Sequence, residues 1–124
     1  MYGFSYTVEN ADAPATFRGA GGGETIGDGI VAEGDMSERG MRQKAARVVE
    51  TMQERLRGLG MEWKDVTGVN VYTSAQNADW LSSELLPRMD VEEIHGIHWY
   101  LSRPPIIGLD FEMDLLGVCR KIWL

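Results

Sequence analysis

The chain has very little cysteine and no long apolar run. Cys119 is its single cysteine among 124 residues. A disulfide within the chain is therefore excluded, and we expect a reducing compartment. No apolar segment approaches the roughly 20 residues of a membrane-spanning helix. The first ten residues lack the basic and then apolar order of a signal peptide. We therefore expect a cytoplasmic protein with no membrane partner.

Basic charge is also scarce. Twelve Lys and Arg residues face nineteen Asp and Glu residues, which gives a net charge of -7. Nucleic-acid binding depends on neutralising phosphates with basic side chains, and the sequence has no cluster of them, so we expect no nucleic-acid partner. With 44% hydrophobic and 25% charged residues, the composition is that of a folded domain. We predict a single domain over residues 1–124.

The order of hydrophobic patterns predicts β-β-α-β-α-β-β. A long helix is expected to begin at Asp35 as its cap and to end at Gly58 and Gly60, and a second helix covers residues 78–86. Apolar residues recur along the long helix at spacings of three and four and predict one apolar stripe: Met41, Ala45, Val48, Met52, Leu56 and Leu59. The charged residues of this helix, Arg55 among them, predict a solvated face. Alternating patterns predict the strands: 5–8, 15–19, 66–73, 97–102 with a resumption at 106–109, and 111–118. Two helices on one face of a mixed sheet make an α+β two-layer sandwich.

Seven of the fifteen glycines lie between Gly19 and Gly34. Glycine permits unusual backbone angles and close approach, so this stretch is either a flexible hairpin loop or a backbone wall for a small ligand. Residues 27–32 match the dinucleotide fingerprint G-x-G-x-x-A. That fingerprint requires a strand directly before it and a helix directly after it, and neither is predicted here. A dinucleotide is therefore not expected.

Two carboxylates, Glu112 and Asp114, share one face of the last predicted strand. If that face is solvated, they have no special role. If it faces a cleft, partial burial would raise a carboxyl pKa towards the range of a general acid or base. Arg103 lies shortly before this strand. It is either a surface residue or a residue whose guanidinium binds a substrate carboxylate through two hydrogen bonds.

The spacing of His95 and His98 would suit a metal on a helix, but a strand is predicted over His98. No third ligand is evident, so we predict no metal and no cofactor. Cys119 is in phase with the apolar residues of the last strand, which favours a core thiol over a nucleophile.

Three segments together resemble the reactive intermediate deaminase family, RidA/YjgF. Residues 45–73 resemble the family's long helix, glycine stop and following strand. Residues 111–118, FEMDLLGV, are similar to its terminal V-E-I-E-A-I-A strand. Residues 17–21, followed by Gly34 and Asp35, resemble its F-x-S-G-Q … G-D segment.

The resemblance implies a chorismate-mutase-like fold and a homotrimer with clefts at the subunit interfaces. It also implies hydrolysis of an enamine or imine to a ketoacid and ammonia. Glu112 falls on the family's catalytic Glu. The family's pocket Tyr and Ser fall on Phe4 and Gly19. Its substrate-binding Arg falls on Pro104, with Arg103 one residue earlier.

The predicted catalytic residues are therefore Glu112 and Arg103. The predicted substrate-binding residues are Phe4, Gly19, Ala20, Gly21 and Tyr100. The expected partner is a small molecule that carries a carboxylate. A protein that binds such a metabolite without catalysis is the alternative.

Overall fold

A computed structural model describes residues 8–76, 79–88 and 96–120. Within these ranges the helices are α1 (Glu38–Gly58) and α2 (Asp79–Leu85). The strands follow in chain order: β1 (Phe17–Gly23), β2 (Thr25–Ile26), β3 (Gly29–Ile30), β4 (Gly68–Thr73), β5 (Ile97–Leu101) and β6 (Phe111–Gly117). Short 3-10 turns follow α1 at Trp63–Asp65 and α2 at Leu86–Arg88. The predicted strand at 5–8 lies, except for Val8, outside the described residues, as do Phe4 and His95.

Four of these strands form one mixed sheet in the order β1-β6-β4-β5, and β2 pairs with β3 in a separate hairpin. β6 runs antiparallel to both β1 and β4, whereas β4 and β5 are parallel. Parallel neighbours need a crossover connection, and α2 lies in the connection between them. The mixed sheet and its two helices confirm the predicted α+β class.

One apolar core joins both helices to the sheet. The predicted stripe on α1 is buried, and the apolar residues of β4 and β6 face it. The core residues of these three elements are Met41, Ala45, Val48, Val49, Met52, Leu56, Val69, Val71, Phe111, Met113 and Leu115. Leu81 and Leu85 of α2 complete the core. Leu59, predicted as the last member of the stripe, follows the helix and is half exposed.

The long helix begins later than predicted. Ser37 caps it, because its Oγ accepts a hydrogen bond from the backbone N–H of Gly40 at 3.2 Å. Asp35 lies two residues before this cap, and its Oδ1 accepts a hydrogen bond from the backbone N–H of Ser37 at 2.9 Å. The prediction that Asp35 caps the helix is therefore wrong, since a hydroxyl two residues on satisfies the first helical donors.

Most of the glycine-rich stretch is regular structure rather than a loop. β1 continues to Gly23 and contains a bulge between Gly19 and Gly22. A Cβ at Gly22 would lie 2.9 Å from the Met52 Cε atom of α1. Glycine at this position therefore lets the helix approach the strand closely. Gly27 has a φ of 54° in the turn between β2 and β3.

Two predictions near the end of the chain are wrong. Residues 106–109 form a turn rather than a strand, in which the N–H of Leu109 donates to the carbonyl of Ile106 at 3.3 Å and Gly108 has a φ of 91°. The prolines just before this turn lack the donors that a ladder needs. Cys119 is exposed rather than in the core, because β6 ends at Gly117.

A buried ionic cluster, formed by Glu24, Lys44 and Asp110, anchors the start of β6. Lys44 of α1 is fully buried, and its Nζ is paired with Asp110 Oδ2. Glu24 is also fully buried, and its carboxylate accepts from the backbone N–H groups of Asp110 and Phe111 at 2.6 and 3.1 Å. Every charge in this cluster therefore has a partner, which is the condition for burying it.

Within the described ranges, no helix has both the length and the apolar character that crossing a membrane requires.

Candidate active-site cleft

Strand β6 divides its side chains between the core and the opposite face of the sheet. Phe111, Met113 and Leu115 are buried in the core. Because successive side chains alternate, Glu112 and Asp114 lie together on the other face. The prediction that the two carboxylates share one face of this strand is therefore confirmed.

A cleft of about 400 Å³ opens over these two carboxylates, which is a size that suits a small metabolite. Its walls come from β1, β4 and β6 and from the segment that follows β5. The lining residues are Gly21, Tyr72, Ser102, Arg103, Pro104, Pro105, Glu112 and Asp114. The cleft thus brings together Glu112 and Arg103, the two predicted catalytic residues.

Glu112 is half-buried at the base of this cleft. Burial is the main cause that raises the pKa of its carboxyl, and the negative charge of Asp114 raises it further. Arg55 opposes both effects. A raised pKa moves this carboxyl towards the range in which a general acid or base operates. Gly21 packs directly on this carboxyl, since a Cβ there would overlap Glu112 Oε1.

Asp114 is buried, and a polar network surrounds its carboxylate. Asn70 Nδ2 donates to Oδ1 at 2.7 Å, and the Tyr72 hydroxyl donates to Oδ2 at 3.0 Å. The Arg18 guanidinium lies 3.6 Å from Oδ2. Asn70 and Asp114 are direct register partners on β4 and β6. These donors compensate for the loss of water around a buried carboxylate.

Tyr72 is held as a hydrogen-bond donor at the cleft wall. Burial, followed by the Asp114 charge, raises the pKa of its hydroxyl to about 12. The hydroxyl therefore keeps its proton at physiological pH. The ring stacks on Tyr100, with centroids 4.9 Å apart and planes 11° from parallel. Tyr100 is the register partner of Tyr72 on β5 and supports it from the side.

Arg55 of α1 secures the bulge in β1. Its Nη1 donates to the carbonyl oxygen of Ala20 and, at 2.7 Å, to that of Gly21. The sequence predicts a solvated face on the charged side of α1, and for Arg55 this prediction is wrong. The sequence contained no signal for it, because the contact joins residues 34 and 35 positions apart.

The structure places the remaining predicted residues as follows. Arg103 is exposed overall and lines the cleft next to Pro104, which is buried. Gly19 is buried, and a Cβ added there would contact Leu115 Cβ at 3.3 Å, so this residue belongs to the core side. Ala20 is exposed. Phe4 lies outside the described residues.

Sequence reasoning missed Asn70 and Tyr72 as members of the site. The one available signal was their alternation with Val69 and Val71, which placed both on the outer face of β4. Only the pairing of β4 with β6 shows that this face meets Asp114. In the described part of the chain, no three His, Cys, Asp or Glu side chains are grouped so that they could hold a metal ion.

The mixed sheet and its two helices give the chain the fold of the RidA/YjgF proteins. Solved structures share this fold. They include the Rid-family protein YyfB of Yersinia pestis, at a TM-score of 0.65 and 15% identity over 86% of this chain and 80% of that one. RidA of an Antarctic Psychrobacter has a TM-score of 0.62 at 13% identity over 86% and 83%. The YjgF product of E. coli also has 0.62, at 11% identity over 96% and 92%.

The chain belongs to the family described as 2-aminomuconate deaminase CnbZ, whose model matches residues 1–122. A curated relative, the 2-amino-5-chloromuconate deaminase of Comamonas testosteroni, is 40% identical over 129 aligned positions. That alignment covers 98% of this chain and 51% of the relative. The chain therefore spans about half the length of that protein.

Proposed function

We propose that this chain hydrolyses the bond between carbon and the amino nitrogen of a 2-aminomuconate-type enamine and releases ammonia. The observation that carries the proposal is a half-buried carboxyl of raised pKa, Glu112, in a cleft that Arg103 also lines. The names of the matching family and of its curated relative support this substrate class. A muconate carries a carboxylate at each end of a flat conjugated chain, so the ligand is anionic.

The chemistry needs one group that can give and take protons. Protonated Glu112 donates a proton to a carbon of the enamine, which leaves an iminium. The resulting carboxylate then removes a proton from water as the water attacks the carbon that bears nitrogen. The same proton passes to the nitrogen, ammonia leaves, and the new hydroxyl returns its proton to Glu112. The balance is enamine plus water to ketone plus ammonia.

Arg103 is proposed to bind a substrate carboxylate. Its guanidinium offers several donors in a planar fork that matches a carboxylate. In the RidA/YjgF pattern the corresponding Arg falls on Pro104, which is buried here. A one-residue shift on a strand turns a side chain to the other face. Residues 102–104, however, belong to no strand, so the constraint of strand alternation does not apply to Arg103.

We also propose that the chain assembles as a homotrimer with this cleft at the subunit interface. The support is an exposed apolar rim on both sides of the segment that lines the cleft. Leu101 precedes the segment and Ile106 and Ile107 follow it, with Ile107 97% exposed. Exposed apolar groups of this kind mark contact surfaces. Light scattering at micromolar concentration tests the assembly, and a monodisperse monomer would contradict it.

The activity is tested by incubating the purified protein with 2-aminomuconate. Ammonia release and loss of the conjugated absorbance should both exceed the rate without protein. A saturable binding signal with no excess ammonia would instead support the alternative of a metabolite-binding protein. Absence of both binding and turnover would reject the proposed site.

A further inference from the structure

The two carboxylates of the cleft have different surroundings. Glu112 and Asp114 lie two residues apart on one strand face, about 7 Å along the strand. Asp114 is enclosed by an amide and a hydroxyl that both donate to it, with Arg18 close by. Glu112 lies against the Gly21 backbone and faces the cleft. When the environments of two neighbouring acids differ in this way, they take different roles in proton transfer.

The proposed reaction needs Glu112 to begin the cycle with a proton. We propose that Asp114 is a positioning residue for this reaction: Asn70 and Tyr72 hold its negative charge beside Glu112, and that charge favours the proton-bearing form of the Glu112 side chain. This inference rests on the proposed function. A like charge on the same strand face of a partly buried site disfavours a second ionisation, and salt screens such a pair weakly.

The charges that act on Glu112 agree with this role. Asp114 on β6 and Glu24 in the link between β1 and β2 are both acidic, and both raise the pKa of the Glu112 carboxyl. From α1, Arg55 opposes them, while it also donates to the bulge carbonyls. Tyr72 from β4 and Arg103 from the segment after β5 complete the cleft walls. Of the two acidic neighbours, Asp114 has the larger effect.

Tyr72 and Asn70 define how the charge is held. Both donate to Asp114, one to each carboxylate oxygen, which fixes the carboxylate plane. Stacking on Tyr100 limits the rotation of the Tyr72 ring. The charge beside Glu112 is therefore fixed in position before substrate arrives, which is what electrostatic preorganisation requires.

The test is to measure the titration of Glu112 by carbon NMR of labelled glutamate carboxyls, assigned through Glu112→Gln. Asp114→Asn removes the charge and keeps the shape. We expect the Glu112 midpoint to fall by about one pH unit, the usual size of such perturbations. Asp28→Asn makes the same chemical change in an exposed turn and should leave the midpoint unchanged. Asp114→Glu should restore it in part.

An unchanged or higher midpoint in Asp114→Asn would overturn the inference. If that variant fails to fold by circular dichroism, Asp114→Ser removes the same charge and carries the same expectation. With 2-aminomuconate, the alkaline limb of the pH profile, where Glu112 loses the proton that the reaction needs, should move to lower pH with the midpoint, and kcat should fall more than KM changes. Because the NMR readout needs no turnover, a shifted midpoint without any ammonia release would overturn the proposed function and not the coupling of the two acids.

Discussion

Strand β6 begins at one group of ionisable side chains and carries a second group further along, and the two differ in their access to water. The ionic cluster of Glu24, Lys44 and Asp110 is closed, and its charges are neutralised by an ion pair and by backbone donors. The cleft group leaves Glu112 half-buried and facing open space. Full pairing makes the first group part of the fold. In the second group, incomplete burial leaves Glu112 in contact with the open cleft.

The largest effect is expected from Lys44→Met, which breaks the closed cluster. Removing one partner leaves the Asp110 charge buried without its cation, which costs about 3–5 kcal/mol of unfolding free energy. Chemical denaturation measures this loss. Lys64 is exposed, so Lys64→Met should stay within about 0.5 kcal/mol. A loss below about 1 kcal/mol at Lys44 would mean that the closed cluster does not hold the strand in place.

Glu112→Gln should affect turnover far more than stability, the reverse of the effect expected from Lys44→Met. Turnover of 2-aminomuconate is expected to fall by about a hundredfold, the typical contribution of a general acid or base, while the unfolding free energy changes little. Initial rates of ammonia release measure the effect. Glu54→Gln makes the same change on an exposed face of α1 and should keep full turnover. Turnover that survives Glu112→Gln would show that Glu112 has no catalytic role.

Arg103→Ala should weaken a carboxylate ligand by about 1.5–3 kcal/mol, the scale of a charged hydrogen bond. Calorimetry with muconate, which lacks the amino group, isolates binding from turnover. Arg103→Lys should recover part of the affinity, since Lys lacks the planar fork. Arg57→Ala, a change at an exposed position, is the matched control. Unchanged muconate affinity in Arg103→Ala would show that the cleft does not use Arg103 for carboxylates.

The smallest effect concerns pH and stability. The folded protein raises the pKa of Glu112 above its ordinary value of 4.5. The proton on Glu112 therefore favours the folded state below that value, and this contribution is lost as pH rises through the raised pKa. We expect Glu112→Gln and the parent to melt alike near pH 4. Above the raised pKa, the variant should melt about 1–3 °C higher. A lower melting point of the variant at pH 7 would contradict this sign.

Periodicity predicted much of the framework. The stripe on α1 and the alternation along β4 and β6 are local patterns, and each places its residues on the correct face whatever the partner element is. Alternation along β6 alone predicted that Glu112 and Asp114 lie on one face of the strand. It placed the apolar residues Phe111, Met113 and Leu115 on the other face. Predictions at strand-breaking residues were wrong in both directions. The predicted strand does not resume at Ile106 after the prolines, whereas β1 continues through its glycines to Gly23.

What the sequence by itself determined is which faces are apolar and where the acidic pair of β6 lies, because these depend on spacing within one element. Tertiary structure alone decided which charges are paired. Lys44 and Arg55 are both basic residues of α1. One is buried against Asp110, and the other donates to carbonyls of the β1 bulge. Likewise, Tyr72 and Asn70 became partners of Asp114 through strand register. Electrostatic roles depend on distance and burial, and both are set by which elements the fold brings together.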